Sequence, residues 1–163
     1  MPNRPFYAEG LRFSCTRCSS CCRYDPGYVF LSKNDLEALA AEQGLGAAEF
    51  IAVYCRWVPE SGELSHLSLK ERSNYDCIFW KDGCTVYEKR PVRCRTFPFW
   101  PDVLQSRSTW EAFAQTCPGM GKGTLHSRED IEFCLGRGLE ETIVSTETVV
   151  SNESIVMRGN RLI

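Results

Sequence analysis

The sequence predicts a small, irregular α+β domain with short helices and β-hairpins. Three observations predict it. Short capped helical patterns alternate with apolar runs bounded by turns. No linker, repeat or low-complexity stretch divides the chain, so residues 1–163 read as one domain. Ten cysteines lie in 163 residues, four of them in Cys15-Thr-Arg-Cys-Ser-Ser-Cys-Cys22. An irregular, cysteine-rich front half then gives way to a more regular tail.

The elements follow in chain order. Ser32-Lys-Asn-Asp35 has capping-box spacing, Leu36, Leu39 and Ala40 follow at helical intervals, and Gly44 suits a stop, which predicts a helix over 33–43. A second helix, 47–55, carries Phe50, Ile51 and Tyr54 on one face. Pro59-Glu-Ser-Gly62 is a turn between two strands within 56–69. Asp82-Gly83 between Cys77-Ile-Phe-Trp80 and Cys84-Thr-Val-Tyr87 predicts a hairpin. Pro91, Pro98 and Pro101 predict an extended or turning segment. Gly119-Met-Gly-Lys-Gly-Thr124 reads as a turn. Ser127-Arg-Glu-Asp130 caps a helix carrying Ile131, Phe133, Cys134 and Leu135, interrupted by Gly136 and Gly138. The tail over 142–157 fits helix or strand.

Composition excludes several classes of function. A hydrophobic content of 43% in a chain this long suffices for a real core, so staples are not needed merely to fold. A net charge of −2 supplies no basic field for nucleic acid or anionic membrane. No apolar run reaches the roughly 20 residues of a membrane span. The N-terminus lacks the apolar stretch and cleavage site of a secretory signal, so a cytoplasmic location is expected. Disulfides are rare there. Ten cysteines are then best explained by metal, and the fold is expected to be organised around it.

Cys-x-x-Cys spacing lets two thiolates face one metal from a single tight turn. Here it occurs twice in succession, from Cys15 through Cys18 to Cys21. Adjacent side chains diverge, so Cys22 would serve a second metal, bridge two metals, act as a nucleophile or simply fill space. Cys77 and Cys84 bracket the hairpin turn. Cys94 lies between arginines, and Cys117 precedes Pro118-Gly119. These eight divide into two four-cysteine sites, or into one site plus other thiols. Cys55 and Cys134 fall on apolar helix faces and read as buried structural thiols.

Arg90, Arg93 and Arg95 surround Cys94, and Arg17 and Arg23 flank the first run. Such positive charge lowers thiolate pKa and offsets the charge of a thiolate-bound cluster, so Arg90, Arg93 and Arg95 are candidates to support it. Alternatively, the Arg–Phe–Trp segment 90–100 docks a protein partner; the acidic chain argues against nucleic acid. His66 and His126 read as surface or polar-core residues. No metalloprotease, phosphate-loop or dinucleotide spacing occurs.

Phe13-Ser-Cys-Thr-Arg-Cys-Ser-Ser-Cys-Cys22, the stretch Cys77–Trp100 and Cys117-Pro-Gly-Met-Gly-Lys-Gly123 resemble the YkgJ-type cysteine-cluster family, over roughly 13–123. Residues 124–163 would be a helical or mixed extension. The resemblance implies a zinc- or iron-chelating or iron–sulfur domain whose cysteine set is Cys15, Cys18, Cys21, Cys22, Cys77, Cys84, Cys94 and Cys117. It also carries over Arg90, Pro91 and Arg95. A longer relative is flagellin lysine N-methylase, but no methyl-donor motif stands out here.

Zinc ribbons usually show two clean Cys-x-x-Cys knuckles, whereas the spacings from Cys77 to Cys84 to Cys94 are wide and uneven. A [4Fe–4S] cluster is therefore favoured and zinc is the alternative. Three functions stay open: a redox or modification protein, a metal-stapled binding module, and a metal-handling protein.

Overall fold

The computed structural model describes residues 4–140 and 142–151. In chain order the elements are β1 (Leu11–Phe13), α1 (Lys33–Glu42), α2 (Ala47–Tyr54), β2 (Cys55–Pro59), β3 (Ser65–Leu69), α3 (Val92–Thr96), α4 (Arg107–Ala114), β4 (Met120–His126), α5 (Arg128–Glu140) and α6 (Thr146–Ser151). Single 3-10 turns cover Ser20–Cys22 and Tyr87–Lys89. β1 pairs with β4 and β2 with β3, each antiparallel. This is the expected small α+β fold. Among the described residues no helix is long and apolar enough to cross a membrane. The chain falls into two compact units, one of residues 4–21 and 96–140, the other of 22–95 and 142–151.

In the second unit, Ser32 caps α1 as its spacing predicts. Its hydroxyl accepts from Asp35 N at 3.1 Å, and Asp35 Oδ2 accepts from Ser32 N at 3.1 Å. The box is buried, and Asp35 goes further. Its Oδ1 accepts from Val92 N at 3.0 Å and lies 3.7 Å from Arg95 Nη2, so one carboxylate ties the start of α1 to α3. Leu31, Leu36, Leu39, Phe50 and Leu67 are fully buried. Phe50, Tyr54 and Phe79 stack beside them, with Tyr54 and Phe79 centroids 4.9 Å apart. A turn joins β2 to β3 as expected, but it closes at Ser61–Leu64 rather than Pro59–Gly62, since Pro59 still pairs with Ser65; Trp57 lies opposite Leu67. The tail closes this core. Val144 donates to Leu31 O and accepts from Leu67 N, both at 2.8 Å, before α6 begins. Of the ambiguous 142–157 stretch, residues 146–151 are therefore helical, and 152–157 lie outside the described residues.

In the first unit, β1 and β4 place Leu11 opposite His126 and Phe13 opposite Met120, with a bulge between Arg12 and Phe13. Val103 and Ile131 are fully buried, and Phe99 stacks on Trp110 at 6.2 Å.

Several local expectations need correction. Gly119–Thr124 leads into and forms most of β4, with residues 121–124 bulging between Met120, opposite Phe13, and Leu125, opposite Arg12. The hairpin at 77–87 shrinks to a single bridge, Trp80 to Cys84, since Trp80 N bonds back to Cys77 O at 2.8 Å and folds that arm into a turn. The proline-rich segment 91–101 contains α3; Pro91 precedes its first residue, a position where a missing N–H costs nothing. α5 runs through Gly136 and Gly138 without a break. Cys55 begins β2 rather than sitting on a helix face. β1 and α4 had no counterpart in the sequence reading.

Ser32→Ala is expected to lower the unfolding free energy by about 1–2 kcal/mol, as loss of a cap does. The check is a urea titration; an unchanged midpoint would show that the capping box adds nothing.

Candidate metal centre

The β1–β4 ladder governs the first cysteine run. Cys15 follows Phe13 by two residues, and Cys117 precedes Met120 by three. The two ends are bound together, since Ser14 N donates to Gly119 O at 3.3 Å and Thr124 N donates to Ser14 Oγ at 3.0 Å. Gly119 permits this approach, because a Cβ there would stand 2.2 Å from Ser14 O. Phe13 is held by Phe97 and Phe99 at 6.0 and 6.2 Å, and its carbonyl lies 2.9 Å from His126 Nε2. His126 thus has a structural hydrogen bond, and His66 lies 3.3 Å from Glu60.

The run itself coils tightly. Arg17 and Ser19, one inside each Cys-x-x-Cys step, have φ of 55° and 68°, left-handed values uncommon outside glycine. Cys15, Cys18 and Cys21 are exposed. Arg17 N donates to Cys15 Sγ at 3.4 Å, and Cys18 Sγ lies 3.5 Å from Ser20 Oγ. Burial pushes the Cys18 thiol up, but hydrogen bonds from Ser20 and Thr16 outweigh it and hold the thiol below its ordinary value. Cys117 is buried, which raises its pKa. The Gly119 and Met120 N–H groups oppose that rise, and the charges of Cys18 and Cys21 add to it.

The second unit holds another group. Cys77 N donates to Cys22 O at 2.7 Å. The neighbouring side chains repeat that link. Arg23 Nε donates to Asp76 Oδ1 at 2.8 Å, and its guanidinium lies 3.6 Å from the Trp80 ring centroid. The Arg23 hydrogen bond holds the Asp76 carboxyl below its usual range, against a smaller rise from burial. Trp80 joins the group to Cys84 through the single bridge already described. Cys94 lies on α3, with its N–H donating to Pro91 O at 2.9 Å.

The candidate arginines have partners of their own. Arg90 Nε donates to Tyr87 O at 2.8 Å, with its guanidinium 3.7 Å from the Tyr87 ring centroid. Arg95 faces Asp35. Arg93 is half-buried on α3. In the 97–100 stretch, Phe99 is buried, and Phe97 and Trp100 pack half-buried against the same core.

The ten cysteines thus fall by unit. Cys15, Cys18, Cys21 and Cys117 belong to the first, with Cys134. Cys22, Cys77, Cys84 and Cys94 belong to the second, with Cys55. Cys55 is buried in the apolar core and its pKa is pushed up to about 12 by that burial, slightly opposed by Lys70. Cys134 is half-buried, and burial raises it too. Both suit structural thiols. Among the described residues no three Cys, His, Asp or Glu side chains close into a ligand set. The donor chemistry fits a thiophilic metal, since thiols predominate among the candidate ligands and N–H and O–H donors lie beside the sulfurs of Cys15, Cys18 and Cys117. Ser20, Thr16, Gly119 and Trp80 escaped the sequence reading; the close approach at Gly119 had a visible signal only in its position after Cys117-Pro118.

The CxxCxxCC family pattern, described as a "Putative zinc- or iron-chelating domain", matches residues 14–118. No solved structure matches the chain.

Gly119→Ala is expected to cost about 1–3 kcal/mol by forcing β1 from β4, and to lower metal retention, because Ser14 and Cys117 move apart. Thermal melting with metal analysis checks both; an unchanged melt would mean the approach is not tight. In metal-free native protein, iodoacetamide is expected to label Cys15 and Cys18 well before Cys55, by peptide mapping. Equal labelling would refute the burial of Cys55.

Proposed function

The chain belongs to the CxxCxxCC family, and from that premise we propose that Cys15, Cys18, Cys21 and Cys117 hold a [4Fe–4S] cluster in a cytoplasmic protein with a redox or protein-modification role. One observation carries this reading: the backbone bond from Ser14 N to Gly119 O at 3.3 Å brings the chain at the start of the first cysteine run beside the chain that follows Cys117, within one compact unit. Three thiolates at Cys-x-x-Cys-x-x-Cys spacing with a distant Cys-Pro as the fourth is the ligand pattern of a bacterial ferredoxin cluster, and Cys117 is followed by Pro118.

Such a cluster, when bound, supplies one-electron exchange, or a binding position at an open iron. The chain's own residues support its anionic sulfurs. The N–H groups of Gly119 and Met120 bond to Cys117, that of Arg17 to Cys15, and the hydroxyls of Ser20 and Thr16 to Cys18. Hydrogen bonds of this kind stabilise thiolates and tune a cluster's potential. Sulfur ligands that are exposed, as Cys15, Cys18 and Cys21 are, also leave a route for a redox partner to approach.

Anaerobic purification followed by iron, sulfide and zinc counts and a visible spectrum tests this. Matched iron and sulfide with a broad visible band are expected. A colourless protein containing zinc alone would overturn the cluster. Cys18→Ser is expected to abolish the iron while Cys134→Ser keeps it; equal loss in both would refute the ligand assignment. Removing metal is also expected to lower the melting temperature, since binding free energy is partly folding free energy.

A further inference from the structure

We propose that the outer face of α5 is a self-association surface: two copies of the chain pair their α5 helices antiparallel, about a two-fold axis at Phe133. The proposal involves no cysteine and no metal, and it stands apart from the cluster reading.

The helix has apolar side chains on two sides. Ile131 is fully buried, and Cys134 and Leu135 pack half-buried against the core of the first unit. They stand at i, i+3 and i+4, the spacing of one core-facing stripe. Phe133 is out of phase with that stripe and lies 66% exposed. No other large apolar side chain among the described residues is as exposed. A phenylalanine ring gains much by burial, but one exposed apolar residue is ordinary. The charges around it decide the occupant.

Those charges are self-complementary. Glu129, Phe133 and Arg137 follow one another at intervals of four, so they form one ridge of the helix. The acid stands four residues before the ring and the base four after it. A copy turned antiparallel about Phe133 sets Glu129 against the partner's Arg137, and by symmetry does so twice. A parallel copy would set like charges opposite one another. The antiparallel arrangement also lays the start of each helix beside the end of the other, which suits their dipoles. Glu129 and Arg137 of one chain are about 12 Å apart along the axis, too far to serve each other. Arg128 and Glu132 differ in this respect, since they pair within the helix at 2.7 Å.

The face also has room. Gly136 lies one turn beyond Phe133, and a Cβ there would meet nothing within 4 Å. Crowding by this chain does not require a glycine at that position, and glycine weakens a helix interior. Its small size lets a second backbone approach the ring. At the other end of the ridge, Glu129 and Leu125, itself 53% exposed, line an open hollow of about 470 Å³. The two-fold puts the end of the partner helix over that hollow. A contact one helix wide is small, so the dimer is weak and reversible.

The test is sedimentation equilibrium of the full chain, purified anaerobically with its metal. Reductant is kept present so that no intermolecular disulfide contributes. A monomer–dimer equilibrium with a dissociation constant on the order of 10–100 μM is expected, weaker at high salt. Phe133→Ser is expected to weaken it about tenfold or more. Glu129→Arg and Arg137→Glu are each expected to weaken it, and the two together to restore it, because the pairs re-form with their signs exchanged. A chain that stays monomeric through this range overturns the proposal, as would follow if another protein or another part of this chain covered Phe133. A dimer that ignores Phe133→Ser, or that the double exchange does not restore, uses another surface and overturns it too. Should Phe133→Ser fail to fold, the charge exchange decides alone. A colourless, zinc-only protein would sink the iron–sulfur cluster and leave this test unaffected.

Discussion

The pairing of Leu11–Phe13 with Met120–His126 is the constraint on which the arrangement of the first four thiols depends. Without it, Cys15 and Cys117 are separated by a hundred residues of chain. A three-residue strand is marginal alone, and the glycines of its partner weaken the pair further. What compensates is packing on Phe13, whose ring meets Phe97, Phe99 and His126 edge-on or tilted. Hydrogen bonds beyond the ladder add to it, from Arg12 to Gly123 O and from Thr124 to Ser14. Gly119 then serves by having no side chain. The aromatic segment that follows α3 thus has a packing role in the same unit that holds the first cysteine run.

Burial sorts the cysteines by chemistry. A thiol in an apolar core resists ionisation, because the charged form loses its hydration. Cys55 is the extreme case, and its environment makes it inert. Cys117 is also buried and its pKa is raised, but its sulfur receives two backbone N–H groups that oppose part of the rise. Cys18 has enough donors to reverse the sign. The second unit obtains its order differently. One carboxylate, Asp35, caps α1 and holds α3, while Arg23 spans from Asp76 to Trp80.

Local signals were legible wherever a short stretch of chain is enough to specify its own structure. Ser32 with Asp35, and Ser127 with Asp130, cap helices because the partners are three residues apart. The turn between β2 and β3 is local for the same reason, although it closes two residues later than Pro59–Gly62, at Ser61–Leu64. Asp82-Gly83 misled, because a turn dipeptide says nothing about whether its arms extend, and here the Cys77 arm coils back. Gly136 and Gly138 misled in the opposite sense, since a helix that already buries Ile131 tolerates two glycines. β4 was invisible because its partner lies more than a hundred residues away.

The sequence by itself determined that this chain has more cysteines than a disulfide-free fold has use for, that three of them lie at metal-binding intervals, and that its elements are short and of mixed type. Those properties are set by residue identity and near-neighbour spacing. Only the tertiary structure decided which distant stretches of backbone meet: Ser14 with Gly119, and Cys22 with Cys77. Spacing along a chain constrains proximity only over a few residues. Beyond that, proximity is decided by which surfaces bury one another and which backbone groups find partners.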